Sequence, residues 1–312
     1  MCHPTRRTCA SRLSATASIL SPPKIPCRLE PVAGTNAMSM FDEILEQVLK
    51  AEIALYHARC RLQASTDGEA LHDLRIQLRR LRSLLRPLRK IDSVGRLDSA
   101  AAAVGNLTVP VRDLEVLINE LEQKGYRELA ASRQAALRAS VERVLQSRAL
   151  AILFAELDEW PRSFRAERMA GKARNLGKLI SKRLDRQVQQ LAQALGDPKY
   201  DRHKLRILAK HARYMIDAYP RQAAVSQQAV RSLKTVLSAL GTWHDLSQWC
   251  LKAASERDLQ PLLAGWQKAS ISALQDAEAE ILRLRLNLGH DSGSAHEHRV
   301  SRDPLLPVPI SA

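Results

Sequence analysis

An all-α architecture is predicted for this 312-residue chain from three observations. The composition is poor in aromatics, at 4%, and rich in Ala, Leu, Arg and Gln, which lose little freedom in a helix. Apolar residues recur near a 3.6 period, and no stretch alternates like a half-buried strand. Gly and Pro fall as spaced punctuation between long periodic segments. At 45% apolar the chain can bury a core, and its longest apolar run, near 149–155, is far below the ~18 residues needed to cross a bilayer.

The elements follow in order. Residues 1–37 carry prolines and Cys2, Cys9 and Cys27 without a helical period, so they are expected to be a disordered tail, or to precede a true start at Met38 or Met40. Ser39 and Asp42 form a capping box of the looser S/T-x-x-D/E type and open the first helix. Breakers then fall at Ser65–Gly68, Pro87–Gly95, Thr108–Pro110, Gly125, Trp160–Pro161, Gly196–Pro198, Pro220 and Pro261, which gives about eight helices. Residues 290–312 turn polar and then Pro-rich, and a second disordered tail is expected there. The helical body is therefore 38–289. Its remaining cysteines, Cys60 and Cys250, form no C-x-x-C pair, which argues against a disulfide scaffold or zinc site and fits a reducing, cytoplasmic setting.

Net charge is +15 and the pI is near 10.0. Residues 1–37 supply +4 and the C-terminal tail −1, so most of the excess belongs to the folded body. Such a surface meets a polyanion: nucleic acid, an anionic membrane or a phosphate polymer. With no spanning segment, a membrane partner is not expected.

Residues 72–86, HDLRIQLRRLRSLLR, concentrate that charge. On a helix of 100° per residue, Arg75, Arg79, Arg82 and Arg86 fall within about 80° of His72. Leu71, Leu74, Leu78, Leu81, Leu85 and Leu88 take the other side. The helix presents leucines to a core and a column of cations away from it, with Pro87 ending it. Like charges at i, i+3 and i+7 repel by a few tenths of a kcal/mol per pair. Something outside the helix must offset them, either acidic neighbours or a bound anion. An ordinary solvated face is the alternative.

The pattern occurs twice. Residues 203–214, HKLRILAKHARY, align His203 with His72, Arg206 with Arg75, Lys210 with Arg79 and Arg213 with Arg82. Downstream, Arg112-Asp113 follows the first copy and His244-Asp245 the second, at offsets of 131 for the histidines and 132 for the aspartates. A drifting surface has no reason to keep that spacing, so the chain is an internal duplication, with repeats at about 40–160 and 161–288. About four helices per repeat give two four-helix bundles related by a pseudo-two-fold, and if the two basic helices meet near that axis their columns line a common groove or channel.

These residues resemble the CHAD domain, the conserved histidine α-helical domain. The resemblance rests on H72-x-x-R-x-x-x-R-R-x-R, on H203-x-x-R-x-x-x-K-x-x-R-Y, and on the PVRDLEVL (110–117) and LGTWHDL (240–246) segments, over about residues 40–288. The family is known for binding inorganic polyphosphate in a basic cavity. The resemblance implies that His72, Arg75, Arg79, Arg82, His203, Arg206, Lys210 and Arg213 form that surface, at a polyphosphate granule or elsewhere in the cytoplasm. Arg80, Arg86, Arg112, Lys172, Lys182 and His244 are secondary candidates. Arg168, Lys172, Lys182 and Arg186 fall near one helical face and either extend the surface or form an ordinary solvated face.

The chemistry agrees with the residue types. Polyphosphate carries roughly one charge per unit and no bases; guanidinium gives it a two-pronged donor and ammonium a point charge. The histidines either touch ligand or orient the arginines. Asp113 and Asp245 could serve as catalytic acids, but are expected instead to pair with a basic residue or cap a helix and so fix a cation's direction, and Trp243, Trp249 and Trp266 to be core or lid residues. No cofactor or metal is called for: His203 and His211 are eight apart, away from the i, i+4 spacing of a helical ligand pair. Two rivals stand beside a non-enzymatic polyphosphate binder. One is sequence-independent nucleic-acid binding, which needs only Lys and Arg for a duplex but aromatic platforms for single strands, and aromatics are scarce here. The other is a phosphohydrolase or phosphotransferase with His72 or His203 as nucleophile, for which no Walker loop or metal-binding carboxylate set is present in the sequence.

Overall fold

The computed structural model describes residues 39–300 apart from Thr66, with side chains to Leu288. The expected tail at 1–37 lies outside the described residues. Ten α-helices are described: α1 (Met40–Ala64), α2 (Ala70–Leu85), α3 (Asp92–Leu107), α4 (Val109–Gln123), α5 (Arg127–Leu145), α6 (Arg148–Met169), α7 (Leu176–Gly196), α8 (Arg202–Ala218), α9 (Gln227–Ser255) and α10 (Gln260–Val300). No strand occurs among the described residues. Most boundaries follow the local signals. Ser39 caps α1 by accepting from the Asp42 N–H at 3.3 Å. Pro87 converts the end of α2 into a 3-10 turn, Arg86–Leu88. Gly125 leaves α4 at φ +82°, a conformation that suits glycine.

Ten helices stand among the described residues where about eight were expected, and three boundaries differ from expectation; one of them, the break at 170–175 between α6 and α7, falls where no breaker was read. Pro161 does not break the chain; α6 runs through it, and so through the expected repeat boundary. A proline inside a helix costs about 3 kcal/mol. Trp160 and Phe164 are buried on either side of it and stacked at 4.5 Å, and burying each contributes roughly 2–3 kcal/mol, which outweighs that cost. The break falls instead at Gln146–Ser147, where Ser147 caps α6 by accepting from the Leu150 N–H at 3.2 Å. At the other end, α10 continues to Val300, past Gly289, where the second tail was expected to begin.

The element order can be set against the sequence offset between the two basic motifs. An offset of 131 or 132 residues carries α1 onto α7, α2 onto α8, α3 with α4 onto α9, and α5 with α6 onto α10. The first half therefore has six helices and the second four, with α9 and α10 each spanning the length of two. Thr108–Pro110 splits α3 from α4, whereas the matching Leu240-Gly241-Thr242 stays helical inside α9. A mid-helix glycine costs about 1 kcal/mol but keeps its N–H, which proline lacks.

Within each half the first two helices pack together, α1 on α2 and α7 on α8, and α9 lies along α10 as α3 and α4 lie on α6 and α5. α2 and α8 touch across the halves. Every leucine of the predicted α2 face, from Leu71 to Leu88, is buried. One large apolar cluster joins α1, α2, α3, α6, α7, α8 and much of α9 and α10. A smaller one joins Leu117, Ile118 and Leu121 of α4 to Leu246 and Ala253 of α9 and Trp266 of α10. Trp266 is core, and its Nε1 donates to Glu120 at 3.0 Å. Trp243 and Trp249 pack partly buried against the same cluster.

Candidate basic site between α2, α8, α4 and α9

The cation columns are half-buried, not solvated. Arg79 on α2 lies over the Tyr214 ring on α8, 4.9 Å from its centroid, and donates to the Tyr214 hydroxyl. Tyr219, just past α8, donates its hydroxyl to the Leu84 carbonyl at the end of α2. These contacts bring Arg75, Arg79, Arg206 and Lys210 together. Burial, then the neighbouring Arg206, Arg79 and Arg75, push the Lys210 ammonium down to about 8, with Asp245 pulling the other way. Burial also lowers Arg75 and Arg206. Arg206 Nε is buried with no hydrogen-bond partner among the described residues. A desolvated donor of that kind costs about 1–3 kcal/mol unless something accepts from it.

The other candidates separate into distinct settings. Arg75 Nη1 donates to Thr108 Oγ1 at 2.8 Å and to the Gly105 carbonyl at 3.3 Å, so it also ties α2 to the α3–α4 junction. Arg82 pairs with Asp98 of α3 at 3.3 Å. His203 is exposed in the first turn of α8, its ring 4.9 Å from that of His244 on α9. His72 is half-buried near the start of α2. Arg213 leaves the cluster: it pairs with Asp217 and lines a cavity of about 990 Å³ between α1, α2 and the end of α8, which Arg79, Arg80 and Tyr214 also border.

Among the secondary candidates, Arg86 and Arg82 act on His211 of α8, whose imidazole is held down to about 4 by burial first and then by Arg86, Lys210 and Arg82. His244 is lowered to about 4 by burial, then by Arg206, His203 and Lys210. Arg112 pairs with the buried Glu115. Arg80 is exposed. The proposed extension does not form one face. α6 ends at Met169, so Arg168 belongs to α6, Lys172 to the following loop, and Lys182 and Arg186 to α7. Arg168 stacks on Phe41 and reaches Asp42 at 3.6 Å, Lys172 pairs with Asp92 at 3.1 Å, and Lys182 is exposed.

Asp113 and Asp245 neither cap a helix nor form an ion pair within 4 Å among the described residues, contrary to expectation; they stand inside α4 and α9. They work at longer range. The surrounding protein raises the Asp113 carboxyl while Arg75, Lys252, Arg206 and Arg112 pull it down. Burial raises Asp245, Arg206 lowers it, Asp113 raises it further, and Arg112 and Lys210 lower it. Each aspartate thus feels cations from both halves of the chain.

Sequence reasoning missed Tyr214, Thr108, Asp98, His211 and Lys252. Tyr214 and His211 lay inside the aligned motif, but nothing in the spacing marks them as partners of α2. Among the described residues no group of three or more His, Cys, Asp or Glu is placed to hold a metal ion, and no helix is long and apolar enough to cross a membrane.

A family model described as the CHAD domain matches residues 40–254, ending inside α9. Among solved structures, the crystal structure of the CHAD domain from the plant Ricinus communis resembles this chain with a TM-score of 0.62 at 19% identity, over 86% of this chain and 97% of that one. At that identity the likeness speaks for the fold alone. No curated protein sequence matches the chain.

Proposed function

The chain belongs to the CHAD domain family, and from that premise we propose that it binds inorganic polyphosphate without chemical turnover, through the cations of α2 and α8. The observation that carries the reading is the surroundings of Lys210: an ammonium held among Arg75, Arg79 and Arg206, drawn from both repeated helices, with an unsatisfied Arg206 Nε beside it. Self-repulsion of that order is relieved by a multivalent anion, and a flexible phosphate chain offers an acceptor to each cation without a base to be read. In this reading the two halves are pseudo-two-fold bundles, the cluster lies in a basic space between them, and His203, His244, His72, Arg82 and Arg86 continue it outward. Cytoplasmic placement at polyphosphate granules follows from the ligand.

The test is a titration of the full chain with long-chain polyphosphate at two salt concentrations, beside duplex DNA of matched charge. The variant is Arg79→Ala, Arg206→Ala and Lys210→Ala; Arg75 is spared because it also anchors the α3–α4 junction. Polyphosphate binding should resist salt better than DNA binding and be lost in the variant. Equal, salt-labile binding of both polymers, unchanged in the variant, would sink the reading and favour a nonspecific nucleic-acid binder. Phosphate release that depends on His72 or His203 would favour an enzyme.

A further inference from the structure

Resting on that reading, we propose that Asp113 and Asp245 set a charge threshold for the site, turning away short or isolated anions while long phosphate chains still bind. The two aspartates occupy matching places, 132 residues apart, inside α4 and α9. Those helices share an apolar cluster that includes Leu246, the neighbour of Asp245, with Leu114, the neighbour of Asp113, packed against it. Arg75 bonds Gly105 and Thr108 just before α4 and acts on Asp113 together with Lys252, Arg206 and Arg112, while Arg206, Arg112 and Lys210 act on Asp245, which Asp113 repels. Neither makes a hydrogen bond or ion pair with these cations among the described residues, so their effect is through the field and not through aiming a guanidinium.

A fixed pair of negative charges penalises every anion that enters by about the same amount. An isolated phosphate or a three-unit chain meets that penalty with only the nearest cations to repay it. A longer chain also engages Arg82 and Arg86, neither of which is among the cations acting on either carboxylate, so its attraction grows while the penalty stays constant. Discrimination by built-in repulsion is a general route to specificity. It also accounts for two acidic residues that feel five cations without a direct partner among them.

The experiment is calorimetric titration of the full chain and its Asp113→Asn/Asp245→Asn variant with tripolyphosphate and with long-chain polyphosphate. The asparagine pair keeps side-chain shape and removes both charges. Tripolyphosphate affinity should rise by roughly tenfold, about the effect of removing a like-charge contact worth 1.4 kcal/mol, and long-chain affinity by clearly less. Asp113→Glu/Asp245→Glu retains the charge and should keep the wild-type preference for long chains. If the wild type binds long chains and the asparagine variant keeps the same preference, or loses affinity for both, the threshold is wrong and the aspartates are structural. If the wild type binds no long chain at all, the polyphosphate reading itself has failed. Should the double variant not fold, as judged by its melting curve, each single asparagine variant must show a partial loss of the preference or the proposal falls.

Discussion

Lys210 is the residue on which most of the site's behaviour converges. Its ammonium is held down to about 8 by burial and by Arg206, Arg79 and Arg75. The charged form is the one that attracts phosphate, so affinity should fall as pH rises through that value, and a bound polyanion will move the fall to higher pH. Titrations from pH 7 to 9.5 should show this step in the wild type. Lys210→Arg, charged throughout, should bind without it; a step of the same size in that variant would put the titrating group elsewhere. The columns themselves were legible in the sequence, because the i, i+3, i+7 spacing places side chains on one helical face whatever the rest of the chain does. Their partners were not. Arg79 with Tyr214, Arg82 with Asp98 and Arg75 with Thr108 are meetings between helices, and no local period encodes them.

Among the helices, the clearest lesson is the pair of unequal halves. Ser147 starts α6 in the first half, whereas the matching Ala277-Glu278-Ala279 stretch of α10 runs on unbroken. If the cap decides, Ser147→Ala should cost about 1 kcal/mol in urea denaturation with an unchanged m-value. A cost near zero would mean that Leu150 and Leu153 packing alone sets the boundary. The misplaced expectation at Trp160–Pro161 has the same origin in reverse: a local breaker lost to the burial of Trp160 and Phe164. Where α9 passes Gly241 without a break, the residue only lowers propensity, while Pro110 in the first half removes a donor.

For the molecule as a whole, packing cations and imidazoles into one interface has a consequence for stability. His211 and His244 are both held near 4, against 6.5 for a free histidine, chiefly by burial. Their folded values are depressed, so between 6.5 and 4 the unfolded chain binds more protons than the folded one. Stability should therefore fall as pH is lowered through that window, as read from the urea midpoint, and His211→Asn should flatten the fall. A pH-independent midpoint from 7 to 4.5 would mean that neither imidazole is held neutral by its surroundings. Taken by itself, the sequence determined the all-helical class, the leucine and cation faces of α2, the matching basic spacing of α8 and the family. Each of these is a matter of composition or of spacing along the chain, and both are local. Only the tertiary structure decided which cations converge on Lys210, that Arg213 turns away to Asp217, that the aspartates act through space, and where proline yields to packing. Those outcomes depend on charges and surfaces brought together from residues more than a hundred positions apart, where the free energy of contact outweighs any preference of the local chain.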